Sequence, residues 1–305
     1  MRNFLFVVFI FLAPMVLKGQ DNSSKQDLQS ELAKLDSILL KDNLRAKVYY
    51  KKFHYLFSLG KFKEAGMTLR KAINLMPDSV ILYVGQAEAL SSVGGFRESA
   101  KVLTVAYEKA VTDSVRSEIL TMRGGNKANF MDYDGAYSDL VYACRIDPKN
   151  LNAKSNLAAV CDEVGRPDEA WKHLKELVKN NPEYFPGYLN LGFKYQKHDM
   201  HKEAIECFDK ALRISPKQPL AFSNRSFSKL EIGDLKGAME DIETSISIYP
   251  TNSYAHMIKA KIFLKKKKKR KACEALDAAE KLGFKDRYGD EVEKLKGEYC
   301  EKYLQ

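Results

Sequence analysis

The sequence predicts an all-α fold, a right-handed solenoid of about seven helix-turn-helix repeats closed by a C-terminal capping helix. Three observations carry this. Prolines 148, 182, 216 and 250 lie 34 residues apart, with Pro77 a further 71 residues before Pro148, and a fixed period of this size is the signature of a repeat array. Twelve residues before these five prolines stand Ala65, Ala136, Ala170, Ala204 and Ala238, small residues where two helices must cross closely. Between alanine and proline come Leu69, Leu140, Leu174, Phe208 and Ile242, then Ala72, Ala143, Leu177, Ala211 and Ser245, which is the spacing of one helical face. Nine Pro and 17 Gly in 305 residues are too few for a loop-rich β chain.

The elements follow in order. Arg2, an uncharged apolar run from Phe4 to Leu17, and Lys18-Gly19-Gln20 outline a secretory signal peptide over residues 1–19. The run is shorter than the roughly 20 residues of a spanning helix, and no Cys stands near the cleavage point to take a lipid. A periplasmic or secreted protein is therefore expected, with an uncleaved anchor as the alternative, because Leu17-Lys18 is an imperfect cleavage site. Residues 20–45 form a leading helix with Leu28, Leu32, Leu35, Ile38 and Leu39 on one stripe. Seven units occupy 46–79, 80–113, 117–150, 151–184, 185–218, 219–252 and 253–286. The second has Ser99 at the small site and Val111 in place of proline; the seventh has Phe284 for proline but keeps Ala272, Leu276 and Ala279 in register. Residues 287–305 make the capping helix, with Val292, Leu295, Tyr299 and Tyr303 inward, as a stacked array needs at its end. These assignments leave no stretch for a separate catalytic domain.

The unit 185–218 shows the pattern in full: Tyr188, Leu191, Gly192 and Tyr195 on the first helix, then Ala204, Phe208, Ala211 and Pro216. It resembles the tetratricopeptide repeat (TPR) family. The resemblance implies a non-catalytic scaffold whose first helices line a concave groove that holds a peptide or protein segment. It also leads us to expect no cofactor.

Candidate contact residues follow from position in the unit. The sixth residue is asparagine in three successive units, Asn156, Asn190 and Asn224, and a ladder of side-chain amides can meet the N–H and C=O groups of an extended chain. At the second, fifth, ninth and twelfth positions, the later units offer Leu189, Phe193, Phe227, Tyr254 and Met257 as apolar anchors, although such rings can equally pack between units. Units three and four offer polar residues there, including Glu118. Tyr50, His54 and Phe57 form a second aromatic cluster in the first unit. Asn224 resembles one asparagine of the two-carboxylate clamp by which some TPR domains bind chaperone C-termini. Leu189, Phe193, Tyr254 and Ile258 stand where that clamp needs polar or basic groups, so the clamp is absent.

The formal charge is +10. Arg2 and Lys18 carry two of these charges and the run Lys265, Lys266, Lys267, Lys268, Lys269, Arg270 and Lys271 seven, leaving +1 for the rest. The run falls at the turn of unit seven. It is a second candidate site, for an anionic envelope polymer or lipid; without interleaved aromatics it does not suit nucleic acid. Cys144, Cys161, Cys207, Cys273 and Cys300 lack zinc-site spacing. Cys273 and Cys300 are the pair best placed for a disulfide, but Cys300 sits beside Tyr299, off the inward stripe, so buried free thiols are the expectation. His198 and His201 flank a turn and read as solvated. No catalytic or metal-binding set is expected.

Overall fold

A computed structural model describes residues 22–300; the expected signal peptide, Tyr303 and the end of the cap lie outside the described residues. Every regular element among the described residues is a helix. Cα packing divides the chain into two units, one ending at His173 and one beginning at Leu174.

The N-terminal unit holds α1 (Asn22–Lys41), α2 (Ala46–Ser58), α3 (Phe62–Leu75), α4 (Val80–Ser92), α5 (Phe96–Lys109), α6 (Asp113–Asn129), α7 (Tyr133–Ile146), α8 (Leu151–Cys161) and the start of α9 (Pro167–Asn180). The C-terminal unit continues with α10 (Phe185–Lys197), α11 (His201–Ile214), α12 (Pro219–Glu231), α13 (Leu235–Ile248), α14 (Ser253–Lys265), α15 (Lys269–Lys281), α16 (Phe284–Tyr288) and α17 (Glu291–Tyr299). Each 34-residue unit is thus one antiparallel helix pair, and in the third α6 begins four residues ahead of position 117.

The periodic residues make the core. Ala65, Ala136, Ala170, Ala204, Ala238 and Ala272 are buried, as are Leu69, Leu103, Leu140, Leu174, Phe208, Ile242 and Leu276. Close helix crossing also explains Gly192: a Cβ there would lie 2.6 Å from the Phe208 ring, so only glycine lets α10 and α11 meet. Ser99, the exception at the small site, is buried in a polar knot. Its hydroxyl accepts from Asn126 Nδ2 at 2.7 Å and donates to the Ala87 carbonyl at 2.8 Å, while Ser91 donates to Asn126 Oδ1 at 2.9 Å. A serine that finds such partners can replace alanine without an unsatisfied buried group.

The turn inside each pair has one recurrent requirement. The fifteenth residue of every unit has a left-handed φ: Gly60, Gly94, Gly165 and Gly233 between +74° and +84°, and Met131, Asp199 and Lys267 at +67°, +57° and +55°. Glycine adopts this region at no steric cost and other residues do so only under strain.

At the two ends, Leu35 of α1 is buried and Leu32 and Leu39 pack on the cluster of Tyr49, Phe53 and Leu69. Val292 is buried beneath α17, with Leu295 and Tyr299 packed around it. The cap is two pieces rather than one helix, broken at Gly289, whose φ is +83°. Cys273 and Cys300 form a disulfide with Cα atoms 5.7 Å apart, which corrects the expectation of free thiols at both positions. Cys300 lies one residue beyond α17, where helical periodicity no longer sets its direction, and it turns fully inward. Cys144, Cys161 and Cys207 form no disulfide among the described residues.

Candidate functional site

Asn156 in the N-terminal unit and Asn190 and Asn224 in the C-terminal unit are 1%, 4% and 4% exposed. This corrects the picture of open amides. Asn224 shows the reason: its Nδ2 donates to the Leu220 carbonyl one turn back at 2.7 Å, while its own carbonyl accepts from Gln196 Nε2 at 2.7 Å. The amide is thus spent on its own helix, and it is the Asn224 backbone carbonyl, held by Gln196, that joins the neighbouring repeat.

The apolar anchors divide. Leu189 and Phe193 are core residues, with the Phe193 ring edge-on to Phe208 at 5.8 Å, and Met257 is buried with Ile258 and Ile262. For these three, packing is the observed role. Phe227 and Tyr254 are only partly buried. The Phe227 ring lies 5.8 Å from His201, roughly edge to face, and 5.8 Å from Lys261 Nζ, which pairs with Glu291 at 2.5 Å. Tyr254 stacks obliquely on Tyr288 at 5.4 Å. Burial pushes its phenol up, helped by Tyr288, Glu291 and Glu231.

In the N-terminal unit the aromatic cluster is differently composed from the expectation. Phe57 turns into the core beside Phe53 and Phe62, and Glu88 of α4 takes its place. Tyr50 donates its hydroxyl to the Glu88 carboxylate, 3.1 and 3.0 Å from its two oxygens, and His54 Nε2 lies 3.4 Å from Glu88 Oε2. The Tyr50 and His54 rings meet edge to face at 4.4 Å. Burial first, then the charges of Glu88 and Glu118, push the Tyr50 phenol well up.

The positional reading also missed two buried ionic clamps. Arg123 of α6 grips Asp139 of α7 through Nε at 2.8 Å and an Nη at 2.7 Å, and Lys127 joins at 2.9 Å. Arg225, Lys229 and Asp241 repeat this between α12 and α13, and Arg225 also reaches Asp209 at 2.6 Å. The signal is present in the sequence, as the same Arg, Lys and Asp recur 102 residues on.

The basic run lies where expected, at the end of α14, the turn and the first turn of α15. All seven residues are exposed except Lys266, which is half-buried. Arg270 approaches Glu274 at 3.3 Å, and the first turn of α15 contains no acidic residue. Among the described residues no group of three or more His, Cys, Asp or Glu could hold a metal ion. His201 is only 3.8 Å from Asp199, with its ring largely buried, rather than solvated as expected. Burial raises the thiols of Cys144 to about 11 and Cys207 to about 12, so neither is an activated nucleophile.

Stacked helix pairs with a small residue at every crossing define an α-solenoid repeat protein, a class built for recognition along an extended surface. More particularly, the chain is a tetratricopeptide-repeat protein: residues 185–218 match the tetratricopeptide repeat family model. It is 27% identical over 155 residues, half of this chain, to the human protein O-mannosyl-transferase TMTC1, and 23% identical over 173 residues, 57% of this chain, to anaphase-promoting complex subunit 3 of Schizosaccharomyces pombe. It spans 18% and 26% of the length of those two proteins. Among solved structures, a chain of the APC/C hetero-tetramer Cut9–Hcn1 matches with a TM-score of 0.66 at 15% identity, over 90% of this chain and 53% of that one. Yeast Tom70 matches at 0.65 and 18%, over 92% and 61%. A tetratricopeptide repeat protein from Parabacteroides merdae matches at 0.60 and 17%, over 82% and 98%. At these identities the structures establish the solenoid fold alone.

Proposed function

We propose that the protein is a non-catalytic scaffold of the cell envelope that holds a partner's peptide segment against the first helices of its repeats. TPR proteins generally serve as protein-interaction scaffolds. The observation that carries the reading here is the in-register repetition of helix pairs, which leaves Phe227, beside Lys261, and Tyr254, beside Tyr288, half-buried on successive first helices. Partly buried rings next to a charge suit an anchor residue of a bound segment. An exported location is supported by the apolar run from Phe4 to Leu17 and by the Cys273–Cys300 disulfide, a bond that persists in oxidising compartments. Among the described residues no helix is long and apolar enough to cross a membrane.

The test is capture from envelope extract on the purified full chain, with captured proteins identified by mass spectrometry. Phe227→Ala should lose a partner that the wild type holds; equal capture by both would remove Phe227 from the contact surface.

One observation favours a second reading, attachment to an anionic envelope polymer or lipid through residues 265–271. Lys265 to Lys269 meet no carboxylate among the described residues, and Lys269, Arg270 and Lys271 stand at the positive end of α15. This crowding of like charge is unfavourable until an anion arrives. Binding to vesicles of anionic lipid that falls with salt and disappears when the lysines become serine would support it; equal binding by the serine variant would end it.

A further inference from the structure

Asp139, Asp241 and Glu88 are largely buried carboxylates, 7%, 6% and 12% exposed at the side chain. Each aspartate meets both an arginine and a lysine. Glu88 meets no Lys or Arg among the described residues, only the Tyr50 hydroxyl and His54. A charge taken out of water needs compensation, and neutral donors supply only part of it.

The imidazole does not complete the pair. His54 Nδ1 is buried with no hydrogen-bond partner. No neighbouring group engages Nδ1, so the ring's contact with Glu88 is through Nε2 alone, at 3.4 Å. Glu118 of α6, exposed, adds a second negative charge that acts on the Tyr50 hydroxyl. One carboxylate and one imidazole are too few for a metal site, and no such group of three exists among the described residues.

These residues stand on the first helices of three successive repeats. Tyr50 and His54 are the fifth and ninth residues of the first unit, Glu88 the ninth of the second and Glu118 the second of the third. They fall at the second, fifth and ninth positions, which the sequence marks as candidate contact positions. We propose that Tyr50, His54 and Glu88 form a receptor for a cationic side chain, the arginine or lysine of a bound peptide segment. The guanidinium or ammonium donates to the lone pairs of Glu88 that Tyr50 and His54 leave open, and lies against the right-angled corner of the two rings, where an aromatic face attracts a cation. The proposal names the chemistry of the partner and rests on the scaffold reading above.

The test uses N-acetyl-arginine amide as probe on the full chain. Binding is followed by the NMR resonances of the five histidines, with that of His54 assigned by its loss in His54→Asn. A saturable shift of the His54 resonance is expected, absent with the uncharged isostere N-acetyl-citrulline amide. Affinity should weaken about tenfold in Glu88→Gln, whose side chain can still accept from Tyr50. Equal shifts from citrulline, an unchanged affinity in Glu88→Gln, or no shift at all would overturn the proposal. Selection of a randomised peptide library on the same protein separates this from the scaffold reading. Enriched peptides without a recurrent cation sink the receptor and leave the scaffold standing; no enrichment sinks the scaffold, and the arginine titration still decides the pocket.

Discussion

Asp241 takes Arg225 in a two-point grip, Oδ2 at 2.8 Å from Nε and Oδ1 at 2.5 Å from an Nη, tying α12 to α13 inside one repeat. Lys229 adds a third contact at 2.8 Å. The preceding repeat solves the same problem without charge, placing Leu191, Tyr195 and Cys207 at the corresponding positions.

Breaking this clamp from one side should be costly. Asp241→Ala strands Lys229, leaves Arg225 with Asp209 alone, and is expected to lower stability by about 3 kcal/mol, read as a shift in the urea midpoint. Arg225→Leu added to Asp241→Ala should recover part of that loss, since an apolar pair needs no compensation. A double variant no more stable than the single would show that the clamp acts through something besides charge.

Gly192 and the fifteenth position make opposite predictions for glycine. Gly192→Ala drives a methyl to 2.6 Å from the Phe208 ring and should destabilise by about 1–3 kcal/mol. Met131→Gly and Lys267→Gly relieve a left-handed φ of +67° and +55° and should each stabilise by about 0.5–1 kcal/mol, the strain released exceeding the added chain entropy. Asp199→Gly should gain less, because aspartate tolerates that region. Thermal unfolding of the single variants checks all four.

The Cys273–Cys300 bond joins α15 to the end of the cap, 27 residues apart. Reduction, or Cys300→Ser, should cost about 3 kcal/mol through the freed loop of the unfolded chain. Peptide mapping with and without reductant shows whether the bond is present, and the urea midpoint gives its effect.

Burial raises the thiols of Cys144 and Cys207 from 9.0 to about 11 and about 12. The unfolded chain then gives up these protons first as the pH rises. The contribution to stability is complete below about pH 9, declines above it, and is gone once the folded thiols have also ionised near pH 12. Urea midpoints from pH 8 to pH 11 should fall, and less steeply in Cys144→Ala with Cys207→Ala. Alkylation of both thiols in the native state should be slow.

Much of the fold was legible because a repeat states its own rules several times. Ala204 or Phe208 alone would be one small and one apolar residue among many; the same pair of chemistries in unit after unit identifies the helix crossing. The left-handed fifteenth position was equally available from Gly60, Gly94, Gly165 and Gly233, but Met131, Asp199 and Lys267 break the run and hide it. The contact surface was less legible. The sixth-position asparagines mark a place in the repeat without saying which way the amide turns, and Asn224 turns to its own helix. Tyr50 and His54 were recognisable as neighbours one turn apart, whereas Glu88, 34 residues beyond His54, joins them only when α2 and α4 stand side by side.

The period, the helix pairs, the small residues at their crossings and the place of the basic turn all follow from the order of residues, because each depends on contacts within a repeat or on spacing along one helix. Which polar groups meet is settled by packing in three dimensions: Glu88 with Tyr50 and His54, Asp209 as a second partner of Arg225, and Cys300 turned in to Cys273. Such partners lie on neighbouring helices or beyond a helix end, where direction is set by packing and by the demand that buried charge and hydrogen-bonding groups find compensation.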